Sequence, residues 1–186
     1  MKNLILIFVL LLGFQYLTAQ EFTPSKDYFI SLQSTLAEDE LEQQQAVLNL
    51  KDDASKEITY FPIAHSEAIA SIEISTIENP NLKGVKKILK VDIIYLEYCK
   101  YIISNYIIET ENGAFINLPM LTNEVCNDSK SEFVYLFPSQ EFGKDNTIIT
   151  AQITLENSQI TMVDTEDTLI WNDDSYGTSG YIYQDF

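Results

Sequence analysis

Between Val85 and Thr110 the chain runs without a glycine or a proline and is dense in Ile, Tyr, Val and Leu. Val91, Ile93, Tyr95 and Cys99 fall on one strand parity, and Ile94, Leu96 and Tyr98 on the other, so both faces of such a strand would be covered. A helix over 88–108 is the competing reading. The β-branched and aromatic side chains, which are stiff in a helix and pack well on a pleated surface, favour strand. Glu111-Asn112-Gly113 follows directly, between Ile107-Ile108 and Phe115-Ile116, and Asn-Gly tolerates the positive φ that a tight hairpin needs.

Strand signals recur on both sides of this stretch. Ile72 and Ile74 alternate with Glu73 and Ser75 before Glu78-Asn79-Pro80-Asn81 breaks the run. Phe133 to Phe137 reads as a strand ending at Pro138. In Thr147 to Leu155, Ile149, Ala151, Ile153 and Leu155 share one face while Thr150, Gln152 and Thr154 share the other, the pattern of a half-buried strand. Asn157-Ser158 reads as a turn into Ile160 to Val163, and Thr168 to Trp171 as a last separate strand. Lys83, Lys86, Lys87 and Lys90 read as a solvated strand edge.

The segment before Glu57 differs. Phe29, Leu32, Leu36, Leu41 and Leu48 lie near helical spacing, with Glu38 to Glu40 and Gln43 to Gln45 as a wet opposite face, which predicts a helix between Lys26 and Leu50. The expected fold is therefore mainly β: an N-terminal helix followed by an antiparallel sandwich or curved sheet of about six to eight strands. A small outer-membrane barrel fits less well, because Gln184 and Gly180 interrupt the apolar face of the last strand.

Residues 1–19 carry Lys2, an apolar run from Leu4 to Leu12, and Leu17-Thr18-Ala19 before Gln20. A charged start, a short apolar centre and a small exit residue are the grammar of a signal peptide, and the run is too short to span a bilayer comfortably. The expected division is 1–19 signal peptide, 20–56 polar helical segment and 57–186 β domain. No later stretch reads as a transmembrane helix, so the mature chain is expected in a periplasm or secreted.

The chain has 28 acidic residues against 11 basic ones, all Lys, for a formal net charge of −17. Nucleic-acid binding needs clustered cations to neutralise phosphates, and arginine forks for anionic substrates are absent. Neither role is expected. An oxidising compartment gives Cys99 and Cys126 the reading of a disulfide, and closing that loop would stabilise the fold by about 3–4 kcal/mol. Two Cys and one His, His65, do not close a four-ligand zinc site without a carboxylate.

His65 is the sole imidazole, and no nucleophile elbow or phosphate loop accompanies it. Acid pairs for glycosidic cleavage are abundant, but that mechanism depends on a separation linear sequence does not give. Asp164, Glu166 and Asp167 read as one turn and Asp173 and Asp174 as the next, and together they would offer oxygen ligands for calcium. An EF-hand does not fit, because Tyr176 falls on a ligand position and Tyr183 stands where a bidentate Glu belongs. Tyr176, Tyr181, Tyr183 and Phe186 either complete the sheet or offer a recognition surface. The reading is an exported non-catalytic binding protein for a protein or envelope component. A carboxylate-based glycan hydrolase and a calcium-stabilised structural module are the alternatives.

Overall fold

A computed structural model describes residues 20–36, 42–53, 56–63, 66–96, 98–126, 131–156, 159–172, 175–178 and 181–183. In chain order the first strands are β1 (Thr23–Pro24), β2 (Tyr28–Leu36), β3 (Glu42–Leu50), β4 (Glu57–Ile63), β5 (Ile69–Glu78), β6 (Val85–Leu96) and β7 (Lys100–Thr110). There follow β8 (Phe115–Asn117), β9 (Leu121–Val125), β10 (Ser131–Leu136), β11 (Thr147–Glu156), β12 (Gln159–Trp171), β13 (Tyr176–Thr178) and β14 (Tyr181–Tyr183). All pairings are antiparallel and build three sheets: a central β1-β5-β6-β7-β8 sheet with β9 also on β7, a β10-β11-β12-β13-β14 sheet, and a small β2-β3-β4 sheet.

The apolar stretch is the middle of the molecule. It forms two strands rather than one, because the chain reverses between Leu96 and Lys100 and pairs Ile93 with Ile103 and Ile88 with Ile108. Alternate residues then feed two cores. Ile88, Tyr106 and Ile108 meet Tyr135, Phe137, Ile148, Leu169 and Trp171 of the five-stranded sheet. Leu89, Val91, Ile93 and Ile107 meet Tyr28, Ala46, Leu48 and Phe61 of the small sheet. Fully burying a side chain such as Phe137 contributes about 1.5–3 kcal/mol. A smaller cluster of Leu136, Ile149 and Ala151 covers the opposite face of the five-stranded sheet.

Local chemistry sets the turns. Gly113 adopts φ 83° in the hairpin joining β7 to β8, where the Thr110 hydroxyl donates to the Asn112 side chain and the Ala114 N–H donates back to the Thr110 hydroxyl. A Cβ on Gly143 would stand 1.9 Å from the Phe137 carbonyl oxygen, so the loop after β10 closes only around glycine. Asn79 and Asn81 take positive φ in the turn between β5 and β6.

Five expectations change. The described strands number fourteen in three sheets, not six to eight in one sandwich or curved sheet, because several of the apolar stretches reverse within themselves. Among the described residues the N-terminal helix is absent; Tyr28–Leu36 and Glu42–Leu50 pair as β2 and β3, with Tyr28 opposite Leu50, Ile30 opposite Leu48 and Leu32 opposite Ala46. Tyr28, Ile30, Ala46 and Leu48 thereby present one apolar face to the central sheet, which a 3.6-residue stripe would have divided. Lys86, Lys87 and Lys90 lie on β6, which has neighbours on both sides, and Lys87 is buried rather than solvated. Asp164, Glu166 and Asp167 occupy the middle of β12, not a turn, because β11 supplies a ladder along that whole length. Thr168 to Trp171 continues the same strand. Residues 1–19, His65 and Asn157-Ser158 lie outside the described residues.

Candidate functional site

Cys99 and Cys126 are bonded, with their Cα atoms 4.7 Å apart. Lys100 pairs with Val125, so the bridge extends the β7–β9 ladder by one step and needs no distortion of the strands to form. Its consequence is local. Around the reversal, Leu96 at the end of β6 is 63% exposed, Tyr98 is wholly exposed and Tyr101 near the start of β7 is 39% exposed, and the bridge ties Cys99 to the residue after β9. The Tyr101 ring leans on the Tyr95 ring at 6.4 Å. Exposed Leu96, Tyr98 and Tyr101 thus stand beside a covalent tie between two segments.

Glu124 lies beside the bridge, 3.4 Å from the Cys126 sulfur, so Cys99, Glu124 and Cys126 form a three-ligand cluster of the kind metals use. Both sulfurs are spent in the disulfide. In this state the cluster is a covalent tie.

The strongest buried polar group is elsewhere. The Tyr28 hydroxyl donates to Glu109 at 2.5 Å, Lys86 pairs with the other Glu109 oxygen at 2.6 Å, and both Tyr28 and Glu109 are buried. Lys87 reaches Asp27 at 3.2 Å and Glu78 at 3.1 Å, with its ammonium 5.6 Å from the centre of the Tyr28 ring. Burial, followed by the Glu109 bond, pushes the Tyr28 phenol well above its ordinary range. For Lys87, burial alone would lower the pKa, but bonds to Glu78 and Asp27 outweigh it and raise it. Every charge here has an opposite neighbour, so the cluster locks the small sheet to the central one.

A third group lies on the other face of β6. The Ser104 hydroxyl donates to Asp92 at 2.6 Å, and Lys90 pairs with the second Asp92 oxygen at 2.9 Å. Ser104 is 1% exposed. Its hydroxyl is directed to a carboxylate and shielded from solvent, an arrangement that ties β6 to β7 rather than presenting a nucleophile.

The acidic residues singled out in the sequence are distributed differently from expectation. Asp164 is opposite Gln152 and Asp167 opposite Thr150, while the register shift between them leaves Glu166 without a partner position on β11. The bulge turns Asp164 and Asp167 to the same face, and all three are exposed. Among the described residues they do not close into a three-ligand metal cluster. From Gln159 to Thr168 no described strand pairs with the outer side of β12, since β13 begins its pairing at Leu169. Asp173 and Asp174 lie outside the described residues.

Tyr176 packs against the aromatic core, and its hydroxyl donates to the Asn117 carbonyl at 3.0 Å. It completes the fold. Tyr181 and Tyr183 stand on β14, paired with Thr178 and Tyr176, and Phe186 is outside the described residues. Sequence reading missed the Tyr28–Glu109 cluster and the aromatic tip. Neither has a local signal: the reversal near Tyr98 places Lys87 opposite Glu109 and Leu96 and Tyr98 at the turn, and the bond from Tyr28 to Glu109 forms only when the small sheet docks.

No family model matches the chain, and neither does any curated protein or solved structure. No helix among the described residues is long and apolar enough to cross a membrane.

Proposed function

We propose that the chain is an exported, non-catalytic β-rich binding protein, its layers arranged as a sandwich, that holds a protein or envelope component through the tip at Leu96, Tyr98 and Tyr101. The observation that carries this reading is a wholly exposed Tyr98 next to a disulfide. Large aromatic side chains contribute most to recognition when little motion is lost on binding, and a pinned base reduces that loss. The disulfide also suits an oxidising compartment outside the cytoplasm. A net charge of −17 favours encounter with a basic partner.

A glycan hydrolase would need two facing carboxylates in one cleft. The buried carboxylate of Glu109 instead faces a phenol and a lysine. This favours binding over hydrolysis.

The test is retention of a partner from envelope or culture-medium extracts by the chain from Gln20 to Phe186, with and without calcium. A saturable partner that is lost when Leu96→Ser and Tyr98→Ser are introduced together supports the tip. Equal retention by that variant removes it. Retention that depends on calcium and on Asp164 and Asp167 would return weight to the calcium reading.

A further inference from the structure

The small sheet covers only part of its face of the central sheet, and beside β4 an apolar pocket of about 420 Å³ stays open. Phe61, Pro62 and Ile63 line one side, Ile93 and Ile103 another, with Met120, Gln44 and Asn105 completing the lining and no charged residue in it. The Asn105 amide nitrogen is shielded from solvent and has no hydrogen-bond partner among the described residues. Buried polar atoms are rarely left this way. Because the nitrogen has no acceptor among the described residues, its N–H donors remain to pair with an oxygen of a molecule in the pocket. Tyr95, on the same face of the sheet and one cross-strand row beyond Ile93 and Ile103, has a second unpartnered buried hydroxyl.

We infer that this pocket binds a small neutral molecule with an apolar body and a single amide, alcohol or ketone group that pairs with Asn105. The volume lies within the range of small-molecule sites, and the lining combines apolar walls with two neutral polar side chains, Asn105 and Gln44, of which Asn105 has the unpartnered buried nitrogen able to fix orientation. Neutrality follows from charge. The lining offers no cation to hold a carboxylate, and the net charge of −17 repels anions from the whole surface. The flexible Met120 side chain, 63% exposed, can adapt to the body of the ligand. This inference is independent of the aromatic tip.

Nile red, a neutral dye with one ring carbonyl that fluoresces in apolar surroundings, is the probe, titrated into the intact chain. The expected result is saturable one-to-one enhancement, displaced by octanamide far better than by octanoate. Asn105→Asp should weaken the dye roughly tenfold, about the value of one hydrogen bond to a neutral ligand. Ile103→Trp should abolish binding by filling the pocket, and Met120→Trp, at an exposed position, gives the same test without disturbing the core. Leu32→Ser, in the groove beside β2, and Tyr98→Ser, at the tip, should leave binding unchanged. Non-saturable binding, equal affinity in Asn105→Asp and Met120→Trp, or displacement by octanoate as strong as by octanamide would overturn the inference.

Discussion

On one face of the central sheet Tyr106 meets Tyr135 edge to face at 5.0 Å, and Phe22 closes over Tyr106 and Phe137. The Trp171 indole crosses from the five-stranded sheet to donate to the Lys83 carbonyl at 2.8 Å. On the other face the small sheet leaves open grooves along β2 and β4, holds itself down with the Tyr28–Glu109–Lys cluster, and covers two polar atoms without partners. The same strands, β6 and β7, supply both faces. What differs is the width of the covering sheet: five strands seal an aromatic core, while three leave their flanks open and depend on charge at one end.

The largest test of this difference is alkaline pH. Burial raises the phenols of Tyr106 and Tyr135 on the sealed face, Tyr135 to about 12, and that of Tyr28 on the other face. A pKa raised on folding means the unfolded chain loses its proton first. Stability is complete below pH 10 and falls above it, by up to about 1.4 kcal/mol per pH unit for each such tyrosine, until the folded group titrates. Urea unfolding at pH 9, 10 and 11 should show this decline, reduced more in the Tyr106→Phe, Tyr135→Phe double variant than in Tyr28→Phe. The double variant removes two phenols and Tyr28→Phe one, so an equal reduction would mean that each phenol of the sealed face is shielded about half as well as Tyr28.

Tyr106→Ala should cost about 3–5 kcal/mol at neutral pH, because the cavity lies between two sheets that cannot collapse onto it. On the opposite face Glu109→Ala should cost about 2 kcal/mol, the cost of leaving the Tyr28 hydroxyl buried without its charged acceptor. A cycle with Tyr28→Phe should recover about 1 kcal/mol of coupling, and additivity would show that the two groups act separately. The smallest effect belongs to Tyr95→Phe. Its hydroxyl has no partner among the described residues, so removal should leave stability unchanged or raise it by up to about 1 kcal/mol, whereas a loss above that would reveal a bond to the hydroxyl in solution.

The β content was readable because its signals are local. Asn112-Gly113 gave the β7–β8 hairpin, the alternation from Ile149 to Leu155 gave β11, and the cysteine pair gave the bridge. Two features were not readable by the same means. The reversal before Lys100 contains neither Gly nor Pro, and the two flanking strands are each apolar on both faces, so no change of pattern marks it. The β2–β3 pair has its own alternation, Tyr28-Ile30-Leu32 and Ala46-Leu48-Leu50, but leucines at spacings of three and four overlie it. Only the central sheet, which needs a flat apolar partner, decides between the two periods. The pocket and the polar cluster arise from contacts between sheets, and these have no signature in one dimension.

The acidic strand β12 has a role that concerns copies of the molecule rather than any ligand. An unpaired strand edge is a template on which a neighbour's backbone can add, and from there a fibril can grow. Here the edge left open among the described residues bears Asp164, Glu166 and Asp167, and two register shifts bend it out of the flat geometry that stacking requires. Repulsion between like edges and the mismatch in shape act together as insulation. For a chain whose described residues are about 70% strand, both features oppose the joining of copies sheet to sheet.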